Sequence, residues 1–84
     1  MKRWYVYIIL TKKNRLYTGI SIDPERRFIE HLCDPKKGAK FFRSDFPEKI
    51  VYLEECSDYS SALKREIGIK KLSSGQKRAL LEVC

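Results

Sequence analysis

The stretch WYVYIILTKKNRLYTGI, residues 4–20, decides the fold. Residues 4–10 are dense in aromatic and β-branched side chains, and residues 16–20 repeat that character after the polar run 11–15, in which Asn14 suits a turn. This is the pattern of a β-hairpin. Strand alternation puts Tyr5, Tyr7 and Ile9 on one face and Val6, Ile8 and Leu10 on the other, the second set being the expected core face. Across the hairpin, Tyr17 and Gly19 share one side of the second strand. Tyr7 and Tyr17 are therefore expected to converge beside a gap at Gly19.

Working outward, Asp23 before Pro24 is an N-cap followed by a first-turn proline, and Phe28, Ile29 and Leu32 form a helical apolar stripe over residues 24–32. Arg27 and His31 are four apart, so they share one face of that helix. Residues 33–49 are rich in Lys, Gly, Pro and Phe without clear period, a long connection, and residues 50–54 return to strand character. Asp58 or Ser60 can cap a helix running to residue 72, with Ala62, Leu63, Ile67 and Ile69 as its inward candidates and Gly68 weakening its centre. Ser73 and Gln76 have the spacing of a capping box, and Ala79, Leu80 and Val83 give the last helix an apolar face. The order β-β-α-β-α-α predicts an α+β fold: a small, mainly antiparallel three-stranded sheet flanked by helices.

The 84 residues leave room for one domain, 1–84, with a modest core and no deep pocket. Residues 1–10 lack the cleavage site of a signal peptide, and nothing approaches the ~20 apolar residues of a membrane span. Three dispersed cysteines, Cys33, Cys56 and Cys84, argue against a disulfide framework and for a reducing, cytoplasmic setting; with His31 they do not have the spacing of a zinc site. The net charge of +7 is unevenly placed. Residues 1–43 hold eleven Lys and Arg against four Asp and Glu, whereas residues 44–84 hold seven of each. The basic half also carries seven of the ten aromatic residues, the interleaving a polyanion-binding face needs.

Y-V-Y at residues 5–7, Y-T-G at 17–19, E-R-R-F-I-E-H at 25–31 and A-L-K-R-E-I-G-I-K-K-L at 62–72 together resemble the GIY-YIG nuclease superfamily, in its branch of small stand-alone bacterial proteins. The likeness covers nearly the whole chain. It departs from the name motifs at Tyr5, Val6 and Thr18, none of which has a proposed chemical role. The resemblance implies a metal-dependent DNA endonuclease, with structure-selective cleavage of branched or flap DNA in repair or recombination as its finer form. It carries the catalytic positions onto Tyr7, Tyr17, Arg27 and His31 and the metal position onto Glu66, with Mg²⁺ or another divalent cation such as Mn²⁺ as cofactor. Tyr7 is then the group that accepts the proton of the attacking water, and Arg27 the cation for the phosphate. All are expected on one side of the sheet. Lys12 and Lys13 in the turn, with Lys40 and Arg43 in the long connection, are the expected DNA-backbone contacts. Two other classes stay open on the residues alone: a nucleic-acid-binding module without turnover, and an interaction protein using Phe41, Phe42 and Phe46 as an anchor.

Overall fold

The computed structural model describes residues 3–33 and 44–82. β1 (Trp4–Thr11) and β2 (Leu16–Ser21) form the expected hairpin; α1 (Pro24–Cys33), β3 (Pro47–Cys56), α2 (Tyr59–Lys70) and α3 (Ser74–Glu82) follow. The sheet order is β2-β1-β3, and β1 is antiparallel to both neighbours. The hairpin turn places Asn14 in the left-handed region at φ 65°, where an asparagine is tolerated better than most residues. Thr11 N–H donates to the Arg15 carbonyl at 2.9 Å, and Arg15 N–H donates to Thr11 Oγ1 at 2.9 Å.

The central position of β1 changes the expected core. Val6, Tyr7, Ile8 and Ile9 are all buried, because helices cover both faces of the middle strand. Val6 and Ile8 pack with Tyr52, Cys56, Ala62 and Ile69 on the α2 side, joined by Leu16, Ile20, Leu80 and Leu81. Tyr7 and Ile9 pack with Tyr17, Phe28 and Ile50 on the α1 side. The face expected to be the core is thus one of two, and Leu10 on it is only partly buried. Thr18 is buried opposite Ile8, and its Oγ1 has no hydrogen-bond partner among the described residues.

β3 begins earlier and ends later than its central run suggests. Its pairing with β1 slips between Ile8 and Ile9 and again between Leu10 and Thr11, leaving Val51 and Glu48 as extra residues that bend the strand. Asp58 is the cap of α2, accepting from Ser61 N–H at 2.8 Å. Ser73 and Gln76 exchange the two bonds of a capping box, at 2.9 and 3.2 Å. Two inward assignments are corrected. Ile67 is 46% exposed while Ile69 is fully buried with Ala62, as a seven-residue spacing on one helix face requires. In α3, Ala79 is exposed and Leu81 joins Leu80 in the core; Val83 lies outside the described residues. Cys33 is exposed and Cys56 buried, both as free thiols.

Candidate active site

The α1 face of the sheet becomes chemical through its register. Tyr7 stands opposite Gly19 and Ile9 opposite Tyr17, so the two tyrosines lie diagonally on one face. The expected gap at Gly19 is filled by Tyr7 itself: a Cβ at Gly19 would lie 2.5 Å from Tyr7 Oη. The missing side chain is what lets the phenol lie against the edge strand. Asp23 sets the start of α1, since Arg26 N–H donates to Asp23 Oδ1 at 3.2 Å and Arg27 N–H donates to the Asp23 carbonyl at 3.0 Å. That fixed start aims Arg27 and, one turn later, His31 at the tyrosines.

Tyr7 Oη and His31 Nε2 share a buried hydrogen bond of 3.1 Å, whose direction follows the imidazole tautomer. The Tyr17 ring meets His31 edge-on at a centroid distance of 5.4 Å. The Arg27 guanidinium lies beside the Tyr7 phenol, acting on it as a charge and as a hydrogen-bond donor. These contacts set the protonation states. Burial, then Tyr17, and also the Glu66 charge raise the Tyr7 phenol well above its ordinary value, against the opposing pull of Arg27. Burial, then the Arg27 charge, push His31 down to about 4, with Glu30 countering. The pair is neutral around pH 7: a phenol bonded to an imidazole. Burial works against the Arg27 charge, but Glu30 and Tyr7 outweigh it and hold the guanidinium above its ordinary value.

Glu30 was not among the residues singled out from sequence. It accepts from Arg27 Nη1 at 3.0 Å and lies 3.7 Å from Arg26 Nε. Its spacings of three and four residues from those arginines were the available signal. With Ser21, Ile22, Asp23, Arg26 and Arg27 it lines a cavity of about 460 Å³ beside the tyrosine cluster.

Of the positions carried over from sequence, Tyr7, Tyr17, Arg27 and His31 meet on the α1 face. Glu66 does not join them on that face, contrary to the expectation that all five share one side of the sheet. It lies on α2, whose Ala62 and Ile69 pack against the opposite face, and it shares their inward stripe with a side chain only 14% exposed. Its carboxylate is 3.4 Å from Lys70 Nζ, and its charge is nonetheless felt at Tyr7. Among the described residues no three His, Cys, Asp or Glu side chains cluster. The donor set suits a hard cation held by one carboxylate with water and substrate oxygens, which is how Mg²⁺ commonly binds, and does not suit a protein-built cage.

The basic turn is pinned from below. The buried Asp45 accepts from Lys13 N–H at 3.0 Å and from Arg15 Nε at 2.8 Å, while Lys12 N–H donates to the Phe46 carbonyl at 2.9 Å. Lys12 Nζ is 3.8 Å from Glu48, and Lys13 is exposed. Lys40, Arg43, Phe41 and Phe42 lie outside the described residues. Phe46 is 59% exposed and does not cover the core.

Residues 3–79 match the family model of the GIY-YIG catalytic domain. The chain belongs to the GIY-YIG family. A UPF0213 protein of Desulfotalea psychrophila is 46% identical over 79 residues, spanning 94% of this chain and 71% of its own length. The UPF0213 protein YhbQ of Escherichia coli K12 is 40% identical over 81 residues, 96% of this chain and 79% of its own. The solution NMR structure of the UPF0213 protein BH0048 from Bacillus halodurans shares the fold at a TM-score of 0.62 and 32% identity, covering 96% of this chain and 84% of that one. A GIY-YIG catalytic domain is a nuclease domain, so the substrate class is nucleic acid. No helix among the described residues is long and apolar enough to cross a membrane.

Proposed function

We propose that this chain is a divalent-metal-dependent endonuclease that hydrolyses phosphodiester bonds in DNA, acting in the cytoplasm as a single domain over residues 1–84. The observation that carries this reading is the neutral Tyr7–His31 pair beside the permanent charge of Arg27. A phenol with a raised pKa is a poor resting base, but a phenol bonded to a neutral imidazole can relay. With the imidazole proton on Nδ1, Tyr7 donates to Nε2 and keeps its oxygen lone pairs for a water molecule. As that water attacks phosphorus, its proton passes to Tyr7 Oη and the phenolic proton passes to His31. The new P–O bond forms as the bond to the leaving 3′ oxygen breaks, and that oxygen takes a proton from solvent. Arg27 binds the non-bridging phosphate oxygens as charge accumulates, and Tyr17 orients the water or the phosphate. Mg²⁺, or Mn²⁺ in its place, would be held by Glu66 with waters and would supply charge stabilisation at the leaving oxygen. Lys12 and Lys13, with Lys40 and Arg43, would hold the DNA backbone.

A second reading, a nucleic-acid-binding module without turnover, is favoured by the Lys70–Glu66 ion pair, which already occupies the carboxylate. Cleavage of duplex, single-stranded, flap and branched DNA with and without Mg²⁺ separates the two. On the nuclease reading wild type should cut only with metal, and Glu66→Gln should lower the rate by ~10² or more while keeping its melting temperature and DNA affinity. Higher rates on flap or branched DNA would establish structure selectivity. Tight DNA binding by a pure protein that cuts none of these substrates would establish the binding module instead.

A further inference from the structure

A second cavity, of about 210 Å³, lies where the hairpin turn meets α3, lined by Asn14, Arg15, Leu16, Ser74, Lys77 and Arg78. Three of these residues are cations and none is an acid. Two are fixed in place: Arg78 Nη2 donates to the Asn14 carbonyl at 2.7 Å, and Arg15 Nε is held by the buried Asp45 at 2.8 Å. Lys77 forms no ion pair among the described residues. Asp45 balances the charge of Arg15, which leaves Lys77 and Arg78 as the two cations around this space without an ion pair among the described residues; holding them together is unfavourable by Coulomb's law, and an anion between them reverses the sign. The volume is below the ~300–1,000 Å³ of pockets that enclose whole organic ligands, so it suits a single phosphate group with water better than a nucleotide.

The location adds direction. Leu16, at the cavity, packs into the core on the α2 side, whereas its neighbour Tyr17 packs on the α1 side. The cavity and the tyrosines therefore flank β2, one of the two edge strands, from opposite faces. Arg15 precedes Gly19 by four residues, roughly 13 Å along the strand. We infer that the Arg15–Lys77–Arg78 cavity binds a backbone phosphate of a nucleic-acid strand that crosses the β2 edge, away from the phosphate at Arg27. This deepens the nuclease reading and depends on its nucleic-acid substrate, but not on turnover.

The test uses the full chain carrying Glu66→Gln, so that DNA is bound and not consumed. Binding of a labelled duplex is followed by fluorescence anisotropy over a salt series for this parent, for Lys77→Gln and for Lys77→Gln with Arg78→Gln. The plot of log K against log salt should flatten for the single variant and flatten further for the double, to a total of ~0.9, the share of the one phosphate the cavity holds, for any sequence. Lys77→Gln breaks no ion pair among the described residues, so it keeps the test valid should the double variant fail to fold. An unchanged slope in folded Lys77→Gln overturns the inference. Inorganic phosphate, titrated in parallel against the amide signals of residues 14–16 and 74–78, identifies the source of the anion. Shifts there with an unchanged DNA slope mean a site for free anions and also overturn it. A flattened slope in a protein whose wild type never cuts sinks the enzyme reading and leaves this inference standing.

Discussion

Each face of the sheet carries a tyrosine with an arginine and a glutamate, and the two clusters are wired differently. On the α2 face, Tyr52 donates its hydroxyl to Glu54 Oε1 at 2.5 Å, and Arg65 Nε lies 3.1 Å from both oxygens of that carboxylate. Both donors end on one fixed anion. On the α1 face, Tyr7 is bonded to a neutral imidazole, and Arg27 is shared between Glu30 and the phenol. Residue types alone do not distinguish the clusters. What separates them is where the donors end: a carboxylate that takes both locks its cluster, whereas a phenol–imidazole pair can pass a proton in either direction.

The largest effect that could break this contrast is at the arginines. Arg27→Gln should lower the cleavage rate by ~10²–10³ with little change in melting temperature, because the charge it removes faces the transition state. Arg65→Gln should leave the rate unchanged and cost at most ~1 kcal/mol of stability, as a partly exposed ion pair does. Equal rate losses in kinetic assays would mean that the two clusters are equivalent.

Next in size is the pH response of His31. Its folded value of about 4 lies below the ordinary 6.5, so between these pH values the unfolded chain binds a proton that the folded chain does not. Stability therefore falls as pH drops from 6.5 towards 4, by up to ~3 kcal/mol from this group. NMR titration of the His31 ring should show no protonation until the pH approaches 4. A midpoint near 6.5 would contradict the buried neutral pair.

The smallest effect tests the fit of Tyr7 against Gly19. Gly19→Ala puts a methyl group 2.5 Å from Tyr7 Oη, so the phenol must move, at ~1–3 kcal/mol and with a fall in cleavage. Gly68→Ala on α2 meets nothing within 4 Å and should stabilise by up to ~1 kcal/mol. Thermal melts of both variants should shift in opposite directions.

The hairpin, the caps at Asp23, Asp58 and Ser73, the shared face of Tyr7 and Tyr17 and the shared helix face of Arg27 and His31 were legible because each depends on local periodicity or on a short helix spacing; that the two pairs meet followed only from the resemblance to the GIY-YIG superfamily. The double burial of β1 was not, since alternation assigns a core face only when a strand has one covered side. The choice between Ile67 and Ile69 depended on the rotation of α2, which one helix's sequence sets weakly. Glu30 was missed because a glutamate three residues after an arginine reads as a surface pair until the arginine is seen against Tyr7. The approach of Glu66 from α2, and the closed Tyr52 cluster, depend on tertiary contacts that no local pattern encodes.

The most direct measurement is the metal-dependent cleavage rate of Tyr7→Phe beside that of Tyr52→Phe, with folding of both confirmed by thermal melts. Each variant removes one hydroxyl from one face of the same sheet. Tyr7→Phe should lose ~10² or more in rate, the scale of a positioned proton-transfer group, while Tyr52→Phe keeps the wild-type rate. Full activity in folded Tyr7→Phe would contradict the assignment of the chemistry to the α1 face.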